Sequence, residues 1–144
     1  MEKTWRTLLI CLFMLTIQYA TWAQDIVGTW KTIDDRTNLP TSHVRIYQEN
    51  GVYYGEVVAM LRDDPTSLCD QCTGDKKNQP IMNMVILRDM VSDGEYWSGG
   101  RILDPESGKE YKCNIHLESD NNIVLRGYIG APLFGRSQDW IRVE

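Results

Sequence analysis

Residues 110–129 read EYKCNIHLESDNNIVLRGYI, and this stretch decides the fold. Tyr111, Cys113, Ile115 and Leu117 alternate with Lys112, Asn114 and His116, the period of two by which a half-buried strand sends successive side chains to opposite faces. Ser119-Asp120-Asn121-Asn122 follows, a run of residues that accept turn conformations. β-rich sequence then resumes, with Ile123, Leu125 and Ile129 expected on the inner face and Arg126 and Tyr128 on the outer. The unit is an antiparallel hairpin with one apolar face.

The same pattern recurs on both sides of this hairpin. Eight candidate strands cover residues 26–33, 42–48, 52–61, 84–91, 95–103, 110–117, 123–129 and 135–143. Glu49-Asn50-Gly51, Ser92-Asp93-Gly94 and Asp104-Pro105-Glu106-Ser107-Gly108 supply further tight turns, and short links favour antiparallel neighbours. No helical stripe of apolar residues interrupts them. Eight such strands suffice to close an up-and-down barrel, which removes the free sheet edges that invite aggregation. The expected class is therefore all-β, an eight-stranded antiparallel barrel. One connection is long, residues 62–83, rich in polar residues and carrying Cys69 and Cys72. A loop of that length in a compact domain is functional, disordered or tied down.

Ahead of the barrel lies a different kind of segment. Lys3 and Arg6 precede an apolar run from Leu8 to Ile17, and the small residues Thr21 and Ala23 precede Gln24, the order of an export signal cut after Ala23. Ten apolar residues are too few for a membrane span, which takes about 20. We therefore expect a signal peptide over 1–23, a single domain over 24–144, and a protein released to the periplasm of a Gram-negative bacterium or beyond it, with no membrane-spanning part. Without Glu2, Lys3 and Arg6 the chain keeps 13 basic and 19 acidic residues, a net charge of −6. That balance, with no basic run, argues against nucleic acid as a partner.

Gly28-Thr29-Trp30 resembles the G-x-W element that opens lipocalin-type (calycin-like) barrels. That resemblance implies that Trp30 plugs the closed end and that a basic residue of the last strand packs across it. Antiparallel pairing of the first and last strands favours Arg142 over Arg136 for that role. A wider resemblance rests on Gly28-Thr29-Trp30-Lys31-Thr32-Ile33-Asp34-Asp35, Val44-Arg45-Ile46-Tyr47, Cys69-Asp70-Gln71-Cys72, Ile86-Leu87-Arg88, Gly99-Gly100-Arg101-Ile102-Leu103-Asp104-Pro105, Gly108-Lys109-Glu110-Tyr111-Lys112-Cys113, Arg126-Gly127-Tyr128-Ile129-Gly130 and Gly135-Arg136-Ser137-Gln138-Asp139-Trp140. Together these motifs are similar to those of the bacterial family called domain of unknown function 2147. The resemblance implies an exported protein with a lipocalin-like barrel and assigns no activity.

Three cysteines follow the leader: Cys69, Cys72 and Cys113. In an oxidising compartment they make one disulfide and one leftover thiol; Cys69 with Cys72 is the first choice, and either with Cys113 the alternative. Cys69-x-x-Cys72 with Cys113-x-x-His116 also has zinc-like spacing. Strand alternation sends Cys113 and His116 to opposite faces, so no metal site is expected.

The last strand puts Arg136, Gln138, Trp140 and Arg142 on one side. If Trp140 is buried, Arg136 and Gln138 point into the barrel, where a charge must be paired, solvated or used to bind an anion. Two readings follow: a polar or anionic headgroup held by Arg136 and Gln138 beside Trp140, with Trp97 and Tyr111 on the wall, or an Arg136 ion pair at an open rim. Catalysis has little to rest on. There are two histidines, His43 and His116, and no nucleophile elbow, phosphate loop or cofactor motif, so no cofactor is expected. Asp34-Asp35 and the Asp104, Glu106 pair sit where acids serve as turn formers. The expected function is a non-catalytic binding or carrier module for a small amphipathic or anionic molecule. The alternative is a filled barrel that meets an envelope protein partner through loop 62–83, or through outward Tyr128 and His116; an enzyme stands third.

Overall fold

The computed structural model describes residues 24–144, and the leader predicted over 1–23 lies outside the described residues. Nine strand segments follow in order: β1 (Gly28–Ile33), β2 (Pro40–Glu49), β3 (Val52–Met60), β4 (Val85–Ser92), β5 (Tyr96–Ser98), β6 (Arg101–Asp104), β7 (Lys109–Ser119), β8 (Asn122–Tyr128) and β9 (Arg136–Arg142). Every pairing is antiparallel. The sheet runs β3-β2-β1-β9-β8-β7, continues through β5 and β6 to β4, and closes on itself where β3 pairs with β4. β5 and β6 both lie between β4 and β7, so they are two halves of one barrel strand. The result is a closed, eight-stranded antiparallel barrel.

The sequence predicts residues 95–103 as one unbroken strand, and the break at Gly99-Gly100 corrects this. Gly100 lies against the Arg88 carbonyl and the Met90 sulfur, closer than any Cβ allows. Opposite it, Asp89 has φ +60°, a local irregularity in β4. A second correction concerns Ile129. It lies just past the end of β8 and is 68% exposed, because the chain turns outward there instead of continuing the inner face. Within β7 and β8 the alternation holds: Cys113, Ile115, Ile123 and Leu125 are buried, while Lys112 is exposed and His116 lies outside against the Tyr96 ring.

The two ends of the barrel differ. At the closed end Trp30 is fully buried and its indole N–H donates to the Ile26 carbonyl at 2.8 Å. Register places Trp30 opposite Arg142, whose guanidinium carbon sits 4.1 Å from the Trp30 ring centroid. The same guanidinium donates to the carbonyls of Asp120, Val27 and Asp25 at 2.7, 2.9 and 3.0 Å. A cation over an aromatic face is attracted by the ring quadrupole, and its N–H groups here satisfy carbonyls that the sheet leaves free. Ile46, Met90, Ile115 and Ile123 fill the space behind this plug. Among the described residues, no helix is long and apolar enough to cross a membrane.

Candidate ligand-binding site

The other end is open. The β1–β2 loop, loop 62–83, the β6–β7 turn and the β8–β9 turn surround a cavity of about 910 Å³ that descends between the strands as far as Trp140. Its size is that of sites that hold small organic molecules, about 300–1,000 Å³.

The wall has two characters. On β1, β2 and β9 it is polar: the Thr32 hydroxyl meets those of Thr41 at 2.5 Å and Ser42 at 2.9 Å, and Gln138 stands on the neighbouring strand. Thr32 pairs in register with Trp140, so the hydroxyl strip borders the indole. The opposite side is apolar, with Ile86, Ile102, Leu125 and the ring of Tyr111. Trp140 is buried, and its indole nitrogen lies 3.4 Å from the Gln138 side-chain oxygen.

Carboxylates and arginines are linked across the rim. Asp34, whose side chain is 7% exposed, accepts the backbone N–H groups of Arg36 at 2.8 Å and Thr37 at 3.2 Å. Its other oxygen lies 3.4 Å from both Arg36 and Arg62, and Glu106 approaches Arg62 at 3.2 Å and Arg36 at 3.7 Å. Three separate segments, the β1–β2 loop, loop 62–83 and the β6–β7 turn, are thereby joined by one ion network. The Arg36 backbone N–H is the foremost cause that holds the Asp34 carboxyl below its ordinary range, with the Arg36 guanidinium adding to it. A depressed folded value means that the charged form stabilises the fold at neutral pH, and that this contribution fades as the pH falls through and below about 3.9, the value of a free aspartate. We expect Asp34→Asn to flatten the acid limb of a stability-against-pH curve, measured by denaturant unfolding from pH 7 to pH 3.

Loop 62–83 is folded, and its own contacts show how. Leu68 bridges Pro80, the Cys69 N–H donates to the Gln79 carbonyl at 2.8 Å, and Cys69 and Cys72 form a disulfide. The knot is pressed onto the β6–β7 turn. Gly108 has φ +70°, and a Cβ there would overlap the Gln71 carbonyl, so only glycine permits this approach. Ile81 and Leu68 from the loop line the cavity, which makes the loop a wall of the site.

Of the ligand-contacting residues expected from the sequence, Gln138, Trp140 and Tyr111 line the cavity as placed. Arg136 also reaches its edge, but the buried-cation reading needs correction: the side chain is 59% exposed and donates to Asp35 at 3.0 and 2.5 Å. It is the rim ion pair, because β9 begins at the mouth and only its later residues reach the interior. Trp97 is the second correction. It is buried in the closed half, with its ring edge-on to Tyr53 at 6.0 Å, and its indole N–H has no hydrogen-bond partner among the described residues. β5 is confined to the closed end by the glycine break, so Trp97 faces packed core. Among the described residues Cys113 is the free thiol, buried 3.4 Å from the Met90 sulfur, and burial pushes its pKa up to about 12, which leaves it without nucleophilic character at neutral pH. The zinc-like set is not assembled, since Cys69 and Cys72 are bonded to each other while Cys113 and His116 lie on opposite faces of β7.

The hydroxyl strip and the Asp34 network were missed by sequence reasoning. Alternation in β1 carries the signal for the first, since Thr32 shares a face with Trp30.

Comparison with solved structures finds protein HP1028 of Helicobacter pylori, described as belonging to the lipocalin family, at a TM-score of 0.74 and 18% identity over 83% of this chain and 84% of that one. At that identity the likeness establishes the fold. None of the curated protein sequences matches the chain. The model of one family, uncharacterized protein conserved in bacteria (DUF2147), matches residues 28–142, the whole barrel from the Gly28 strand to the Arg142 plug, and the chain belongs to that family.

Proposed function

We propose that the protein is an exported carrier that holds one small amphipathic molecule in the open half of its barrel. The observation that carries this reading is the cavity of about 910 Å³ with hydroxyls on one wall and aliphatic side chains on the other. An amphipathic guest gains from burial of its apolar part, while its polar group replaces the hydrogen bonds that water supplies to Thr41, Ser42 and Gln138. The charge pattern narrows the guest further. Seven carboxylates and three arginines line the cavity, and Arg36, Arg62 and Arg136 are all paired with acids. An anionic headgroup would meet that excess of carboxylates and compete with the acids already on the three arginines, so an uncharged or cationic group fits better.

Fluorescence titration with an uncharged, polarity-sensitive dye such as Nile red tests the reading. The parent protein should bind it in a saturable way, and Gln138→Trp, which fills the space beside Trp140, should weaken binding by about tenfold or more while circular dichroism stays that of the parent. Equal binding by both proteins would place the dye elsewhere and overturn the proposal. Export is tested separately, by the mass of the protein recovered from its own cells, which should begin at Gln24.

A further inference from the structure

The β8–β9 turn, residues 129–135, presents an unusual tip. Its Leu133, Phe134 and Ile129 are 80%, 79% and 68% exposed, the three highest values among the large apolar side chains of the described residues. Leu39 and Leu68, both more than 40% exposed, stand on the other loops around the same mouth. Phe134 and Ile129 also line the cavity, so one apolar surface runs from the interior over the rim and onto the tip. The turn is held in shape: Arg126 donates to the carbonyls of Pro132 at 2.7 Å and Leu133 at 3.3 Å, and to the Ser137 hydroxyl at 3.0 Å.

Shape and charge select the occupant. Stable protein interfaces take about 800 Å² and some 20–30 residues from each partner. The tip, residues 129–135 around the short turn at Pro132–Phe134, offers far fewer residues than that, but its exposed apolar side chains suit it to enter a fluid apolar layer. Its charged surroundings are mixed, with Arg126 and Arg136 at its base and an excess of carboxylates around the mouth, which disfavours a strongly anionic surface. We propose that residues 129–135 form a lipid-docking lip, through which Leu133, Phe134 and Ile129 insert into a zwitterionic membrane surface and bring the cavity mouth against it. The lip's use in loading a guest rests on the carrier reading, whereas the docking itself does not.

Sedimentation with phosphatidylcholine vesicles tests docking without any guest. Leu133 does not line the cavity, so its variants leave the dye site alone. The parent protein should sediment with the vesicles, Leu133→Asp should lower its partition by about tenfold or more, and Leu133→Trp should keep or raise it. No sedimentation of the parent, or equal sedimentation of the Asp variant, would overturn the lip. So would binding confined to phosphatidylglycerol vesicles and abolished by salt, or a photocrosslinker at position 133 that captures a protein instead of lipid in the protein's own cells. Nile red binding measured without vesicles reports the cavity on its own, so failure of the lip and failure of the carrier reading are told apart.

Discussion

Trp30→Ala is expected to lower the unfolding free energy by about 3–5 kcal/mol, the range for removal of a large buried aromatic, which consumes much of the stability of an ordinary small domain. Three losses combine at this position. The cavity left behind lies under the plug, where Ile26 and the β1–β9 seam hold their neighbours and prevent collapse. The Ile26 carbonyl loses its indole donor. Arg142 loses the ring beneath it, although its three carbonyl partners keep it in place. Arg142→Met removes the charge while keeping much of the packing, so it should cost less than Trp30→Ala, and the double variant should show coupling when unfolding midpoints in urea are compared. Additive effects would mean that the two side chains stabilise the closed end independently.

Gly108→Val is the counterpart at the open end. A β-branched residue is strained at φ +70°, and its Cβ would overlap the Gln71 carbonyl, a backbone atom with little freedom because the adjacent disulfide holds it. The expected outcome is displacement of loop 62–83 from the β6–β7 turn, at a cost of about 2–4 kcal/mol to the docked state. Amide hydrogen exchange should accelerate in the loop and in the β6–β7 turn while β1, β8 and β9 stay protected, and Nile red affinity should fall because Ile81 and Leu68 leave the wall. Uniform acceleration over the whole barrel would show that the contact supports the fold globally. Replacement of both Cys69 and Cys72 by alanine should move exchange in the same loop in the same direction, since it relaxes the knot without adding a clash.

The barrel was readable because its information is periodic. Alternation in β7 and β8 and turn residues at short intervals specify which face is buried and which strands are neighbours, and Trp30 with Arg142 follows once β1 and β9 are paired. The site was legible only in part. Gln138, Trp140 and Tyr111 could be placed by alternation, but depth along a strand is invisible to a period of two, and depth decides whether Arg136 is an interior cation or a rim ion pair. Trp97 failed for the same reason, compounded by the glycine break that confines β5 to the closed end. The Asp34, Arg62 and Glu106 network joins residues up to 72 positions apart in the chain, from Asp34 to Glu106, and no local pattern announces it.

The pairing of β1 with β9 has a kinetic meaning. Strand β1 finds one of its two neighbours only when β9 is present, so the sheet keeps open edges until the residues of β9, among them Trp140 and Arg142, are available. Such distant partners make folding slow relative to local hairpins, and a chain synthesised from its amino terminus remains an incomplete, sticky sheet until β9 has been made. Loss of Arg136–Arg142 would therefore be far more damaging than the length of one strand suggests: it would remove the seam that turns a curled sheet into a barrel.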